Sequence, residues 1–148
     1  MPLTHSNYEN QHFVILLADD DEDDIYLFQE ALIANKISIE NIKLAGNGLD
    51  ALESVNKFPI ADIVFLDVNM PGKSGFDVLT DLRAKYTKEE LPVIMYSTAN
   101  DGHSTEKSKE LGANLYLVKA FSHKGTVANI SKVLGDKLIK GNFKVING

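Results

Sequence analysis

The sequence predicts a single α/β domain built on an open, doubly wound parallel sheet. Three observations carry that reading. Short, continuously apolar runs alternate with longer amphipathic stretches through the whole middle of the chain, the pattern of strands linked by crossover helices. The runs lack the polar alternation of one-sided sheets and suit strands covered on both faces. Polar clusters gather where the runs end, which is where such sheets hold their ligands. The 148 residues suit one domain with an ordinary core.

The elements follow in order. Phe13 to Ala18 is apolar at every position and reads as the first strand. It stops abruptly in acids, after which Ile25, Phe28 and Leu32 recur at helical spacing and predict a helix over Asp23 to Asn35. A second strand is expected over Ile39 to Ala45, followed by a Gly46-Asn47-Gly48 turn. Leu49, Leu52 and Val55 then form one face of a short helix that ends before Pro59. Ala61 to Leu66 is the third strand, closed by Asp67, and the loop Val68 to Ser74 leads into a helix with Val78, Leu79, Leu82 and Tyr86 turned inward. Leu91-Pro92 introduces a fourth strand, Val93 to Tyr96, ending at Ser97. The segment from Asn100 to Glu110 contains no aliphatic side chain, so its helix packs weakly and is easily shifted. A fifth strand, Asn114 to Val118, ends at Lys119. The last helix covers about Ser122 to Leu138, with Val127, Ile130, Leu134 and Leu138 inward. The polar residues Met1 to His12 and the tail Ile139 to Gly148 are expected to be appendages of a domain spanning 13–138.

Composition narrows the function. Fifteen Lys and Arg against 21 Asp and Glu give a net charge of −6, which disfavours nonspecific nucleic-acid binding. Cysteine is absent, excluding disulfides, thiolate zinc sites and a cysteine nucleophile. No apolar run approaches the ~20 residues that span a bilayer, and Met1 to His12 has no apolar core of a secretion signal. A cytoplasmic protein that binds neither DNA nor membrane is expected.

Asp19 to Asp24 form an unbroken acidic run. Glu22, Asp23 and Asp24 suit the first turn of a helix, where negative charge meets free N–H groups and the positive end of the dipole. Asp19 and Asp20 directly follow a buried strand, and crowded carboxylates repel unless a cation joins them. Asp67 ends the third strand, which neighbours the first across the switch point of a flavodoxin-like order. Three carboxylates on one pocket, with oxygen donors only, point to Mg²⁺. Lys119 has two readings, a lysine snorkelling from a strand end or a partner for Asp67 or for an anion attached to it. Ser97 likewise fits either a local turn bond or a hydroxyl aimed at a phosphoryl oxygen.

The stretches ILLADDDEDD, DIVFLDVNMPGKSGFDVL, LPVIMYSTAND and GANLYLVKAF resemble, in order and spacing, the receiver domains of two-component response regulators. The resemblance spans about Phe13 to Leu138 and implies a flavodoxin-like five-stranded parallel sheet of order 2-1-3-4-5, with helices on both faces. It implies that Asp67 accepts a phosphoryl group from a sensor histidine kinase or phosphotransfer protein. Asp20, Asp67 and the Asn69 carbonyl would hold Mg²⁺ directly, and Asp19 mainly through water. Lys119 would offset charge on the transferring group, Ser97 would be the switch hydroxyl and Tyr116 the switch aromatic that turns inward on phosphorylation. The chain looks like the stand-alone type, similar to the chemotaxis response regulator. Its output is then docking to a protein effector through the fourth helix, fifth strand and fifth helix, and homodimerisation over that surface is left open. It is expected to be a signalling receiver and not a turnover enzyme.

One position departs from the family. Ala120 follows Lys119 where receivers have proline after a cis bond, and a cis bond without proline costs ~2.5–4 kcal/mol. That leaves the Lys119–Ala120 geometry open, with Lys119 expected to reach Asp67. Two other readings compete. A haloacid-dehalogenase-like phosphatase also uses a strand-end aspartate with Mg²⁺, but would need a second Asp where Asn69 stands. A phosphorylation-independent scaffold would keep the fold without Asp67, Lys119, Ser97 and Tyr116 acting together.

Overall fold

The computed structural model describes residues 13–99, 101–135 and 139–147; the expectations for Met1 to His12 and Leu138 lie outside them. The elements are β1 (Ile15–Ala18), α1 (Glu22–Ala34), β2 (Ile42–Ala45), α2 (Gly48–Val55), β3 (Ile63–Asp67), α3 (Gly75–Arg83), β4 (Val93–Ser97), α4 (Gly102–Glu110), β5 (Leu115–Val118), α5 (His123–Gly135) and β6 (Lys144–Ile146). Every strand pairing is parallel, and the sheet order is β2-β1-β3-β4-β5-β6.

Alternation along the strands divides the core in two. Leu16, Ala18, Val64, Leu66, Val93, Met95 and Tyr116 pack with Ala51 and Val55 of α2 and with Val78, Leu79 and Leu82 of α3. Ile15, Leu17, Ile63, Phe65, Ile94, Tyr96, Leu115 and Leu117 pack on the other face with Phe28, Ala31 and Leu32 of α1 and with Ile130 and Val133 of α5. Phe28 contacts Phe65 edge-on and Tyr96 at a tilt, with centroids 4.9 and 5.0 Å away. Both faces of β1, β3 and β4 are therefore covered, the arrangement their unbroken apolar runs require.

Three sequence expectations change. The sheet has six strands, because the tail expected to be an appendage adds β6 along β5, with Tyr116 opposite Val145 and Leu117 opposite Ile146. β6 pairs an edge that would otherwise present unsatisfied backbone groups, and Ile146 is buried among the α1–α5 residues. The second strand begins at Ile42, since Ile39–Asn41 forms a 3₁₀ turn closed by Asn41 N–H to the Ser38 carbonyl and leaves Ile39 exposed. In α2 the inner face is Ala51, Leu52 and Val55, whereas Leu49 is 66% exposed. The Lys119–Ala120 bond, which the sequence leaves open, is trans: among the described residues the cis bond is Phe58–Pro59.

The weak packing expected of the fourth helix is present. Ser108 is the buried residue of α4, and Asp101 caps the helix by accepting from the Ser104 N–H. Arg83 closes the opposite end of the sheet. Its Nε donates to the Gly112 carbonyl at 2.7 Å, Nη1 to the Leu91 carbonyl at 3.0 Å, and Nη2 to Asn114 Oδ1 at 2.8 Å.

Candidate functional site

All the neighbouring strands run parallel, so β1, β3, β4 and β5 end at one edge of the sheet and deliver their terminal polar residues together. Asp19 and Asp20 follow β1, Asp67 is the last residue of β3, Ser97 is the last of β4, and Lys119 follows β5. One carboxylate oxygen from each of Asp19, Asp20 and Asp67 lies within 4.8 Å of the other two. Asp19 and Asp67 are buried while Asp20 is exposed. Three hard oxygen donors at that spacing, open to solvent on the Asp20 side, match the donor set a small divalent cation takes.

Asp19 is enclosed. Its Oδ1 accepts from the Asp21 N–H at 3.0 Å, and its Oδ2 accepts from the Tyr96 hydroxyl at 2.7 Å and from Lys119 Nζ at 3.2 Å. Burial, and then the Asp19 carboxylate, push the Tyr96 phenol well above its usual range, so Tyr96 stays protonated and donates. Burial pushes the Asp67 carboxyl up to about 7; Lys119 and the Asn69 N–H pull it down, while the Asp19 charge and a contact with Asp19 add to the rise. Crowding at this edge thus favours either a proton or a cation on the carboxylates.

Lys119 lies at the same edge, and its closest partner is one the sequence reading had not placed there. Nζ is 2.8 Å from Asp24 Oδ2, 3.2 Å from Asp19 Oδ2 and 3.6 Å from Asp67 Oδ1. It therefore hydrogen-bonds Asp24 and Asp19 and forms a looser ion pair with Asp67. It also sits 4.7 Å from the centroid of the Tyr96 ring. Burial acts to lower the Lys119 pKa, but the Asp24 hydrogen bond and the charges of Asp67, Asp19 and Asp24 outweigh it and raise the value. The trans bond to Ala120 is compatible with that placement.

Asn69 turns back under Asp67, its N–H donating to Asp67 Oδ1 at 3.4 Å. Ser97 and Tyr116 form a second group around Ala99. Ser97 Oγ accepts from the Ala99 N–H at 3.0 Å, and the Tyr116 hydroxyl donates to the Ala99 carbonyl at 2.7 Å. The Tyr116 residue is fully buried, so its ring already lies inside the fold.

Three site residues escaped the sequence reading. Asp24 was assigned to the helix dipole, but Asp21 caps α1 by accepting from the Asp23 and Asp24 N–H groups, which leaves the Asp24 side chain for Lys119. Tyr96 was counted as strand; a phenol in an apolar run signals a buried hydroxyl in need of a partner. Gly75 begins α3 so close to the end of β3 that a Cβ there would lie 2.1 Å from the Asp67 carbonyl oxygen. The glycine lets the helix start against the backbone of Asp67, and the Ser74–Asp77 capping box holds that start.

Comparison with known proteins agrees with this geometry. Residues 15–131 match the family described as the response regulator receiver domain. Response regulator Rcp1 of Synechocystis is 31% identical over 121 residues, covering 78% of this chain and 82% of that protein. Chemotaxis protein CheY-3 of Vibrio cholerae is 30% identical over 116 residues, covering 76% and 85%. A similar solved structure, a putative response regulator from Chloroflexus aurantiacus, has a TM-score of 0.70 at 25% identity and covers 84% of this chain and 98% of that one. No helix among the described residues is long and apolar enough to cross a membrane. The parallel sheet, its acidic edge and these matches make the chain a member of the response regulator receiver domain family of two-component signalling.

Proposed function

We propose that this chain is a single-domain response regulator that takes a phosphoryl group on Asp67 in a Mg²⁺-dependent reaction and thereby changes which protein it docks to. The observation that carries the reading is the convergence of Asp19, Asp20 and Asp67 oxygens within 4.8 Å, with Lys119 Nζ 3.6 Å from Asp67.

An Asp67 oxygen attacks the phosphorus of a phosphohistidine on a sensor histidine kinase or phosphotransfer protein. The P–O bond to Asp67 forms as the P–N bond breaks, and the imidazole leaves after taking a proton. Asp20, Asp67 and the Asn69 carbonyl would hold the divalent ion, with Asp19 supporting the site. When bound, that ion supplies the positive charge that lets the carboxylates coexist and offsets charge on the phosphoryl oxygens. Lys119, 3.6 Å from Asp67 Oδ1, adds a second positive group, so the chain contributes positioning and electrostatics more than covalent chemistry.

The switch runs through Ala99. Ser97 turns to donate its O–H to a phosphoryl oxygen and in moving gives up the bond its Oγ accepts from the Ala99 N–H, which frees the backbone that also anchors the Tyr116 hydroxyl. The lightly packed α4 is the element with least to resist such a shift. The readout surface comprises α4, β5 and α5, with β6 along the edge of β5, and it meets a downstream protein effector or a second copy of the chain. The protein works in the cytoplasm, without DNA or membrane as a partner, and releases no product in multiple turnovers.

The test is incubation with Mg²⁺ and acetyl phosphate, followed by intact and peptide mass measurement. One added phosphoryl group on Asp67, lost in Asp67→Asn and in excess EDTA, is expected. No adduct, or an adduct elsewhere, with both acetyl phosphate and a cognate kinase overturns the proposal. A scaffold that works without phosphorylation would instead bind its partner unchanged as Asp67→Asn.

A further inference from the structure

Lys119 has three N–H donors, and the closest acceptor to its nitrogen is Asp24 Oδ2 at 2.8 Å, not Asp67 at 3.6 Å. Asp24 belongs to the first turn of α1, but the side-chain cap of that helix is Asp21, so Asp24 adds only its charge there and its Oδ2 bonds Lys119. The Lys119 side chain is 13% exposed and the Asp24 side chain 35%, which leaves the bridge at the lip of the site, where it can open without uncovering the core. Asp19 Oδ2, by contrast, is held in place by the Tyr96 hydroxyl as well as by Lys119.

We propose that Asp24 is a positioning residue that competes with the phosphoryl group for Lys119, restraining the lysine in the resting protein and releasing it when an anion arrives on Asp67. The inference rests on the phosphoacceptor reading above. Lys119 must cover the 0.8 Å between 3.6 and 2.8 Å to make with Asp67 the contact it now makes with Asp24, and the Asp24 bond opposes that movement. The Asp24 charge also repels an incoming phosphoryl dianion directly. Removing the carboxylate acts in the same direction through both effects and makes the site a better anion receptor. It acts in the opposite direction on a cation, because a freed Lys119 settles against Asp67 and Asp19, and the edge loses one negative charge.

Opposite shifts on two ligands are something a purely structural role for Asp24 would not produce. The test uses the full chain as wild type, Asp24→Asn and Asp24→Ala. Each is titrated with Mg²⁺ alone, and then with beryllofluoride at saturating Mg²⁺, following amide NMR shifts. Both variants are expected to bind beryllofluoride about two- to fivefold more tightly than wild type, and Mg²⁺ alone about two- to fivefold more weakly, the range for an ion pair of this exposure. Affinities for both ligands unchanged within about twofold, or weakened together, overturn the role of Asp24 while leaving the phosphoacceptor reading intact. A wild-type protein that does not take up beryllofluoride overturns that reading, and the inference falls with it.

Discussion

Replacing Asp67 with asparagine keeps the shape of the side chain and removes one of the crowded charges, so the metal-free protein should become more stable. The size of the effect follows from burial, the dominant cause that lifts the Asp67 carboxyl from 3.8 to about 7. Over that span a single carboxyl forfeits at most roughly 4 kcal/mol at about 1.36 kcal/mol per pH unit. Lys119 loses an ion-pair partner in the variant and the amide must find new bonds, which leaves a net gain of about 1–3 kcal/mol. The sign depends on pH. Between 3.8 and about 7 the folded protein holds a proton that the unfolded chain has released, so wild-type stability falls as pH rises through this window. The advantage of Asp67→Asn should therefore be small at pH 4, grow towards pH 7 and level off above it. Urea unfolding in EDTA at pH 4.5, 6 and 8 (chosen to bracket the window) reads this directly. Adding Mg²⁺ at ten times the wild-type Kd should return about 1.4 kcal/mol to the wild type and at most about 0.4 kcal/mol to the variant. An asparagine variant less stable than wild type at pH 8, or a difference that does not change with pH, would refute the reasoning.

Four further substitutions probe the site and the fold that carries it. Tyr96→Phe removes the hydroxyl that donates to buried Asp19 at 2.7 Å and should cost about 1–3 kcal/mol in a urea melt without Mg²⁺. Gly75→Ala places a Cβ against the Asp67 carbonyl and should cost at least about 1–3 kcal/mol, with chemical-shift changes centred on Asp67. Arg83→Met leaves the carbonyls of Gly112 and Leu91 without their Arg83 donor and Asn114 Oδ1 with the Val93 N–H alone and should cost roughly 2–4 kcal/mol, read as a lower melting temperature. Lys36→Gly should stabilise by about 1 kcal/mol, because Lys36 closes the end of α1 at φ 74°, a conformation that favours glycine.

The parts of the fold that were legible in the sequence are those with one dominant cause. β1, β3 and β4 are buried on both faces, so their apolar runs leave no competing pattern, and each run stops where its polar residue enters the site. Asp19, Asp20, Asp67 and Lys119 stood out because charges directly after buried strands have few places to go. β6 was missed because three residues, two of them exposed, carry almost no pattern, and its pairing depends on the free edge of β5. Ile39 was misplaced because a lone isoleucine fits a strand as well as an exposed turn. Asp24 and Tyr96 were hidden for a different reason: each had an adequate local explanation, as helix-dipole charge and as core aromatic, and only tertiary packing brings them to Lys119 and Asp19.

The cation site is the claim on which the account turns, and a Mg²⁺ titration of the wild type beside Asp20→Asn and Asp67→Asn tests it most directly. One Mg²⁺ per chain, with amide shifts centred on Asp19, Asp20, Asp67 and Asn69 and affinity reduced about tenfold or more in each variant, is the predicted result. Equal Mg²⁺ affinity in all three proteins, or shifts confined to other acidic residues, would contradict it.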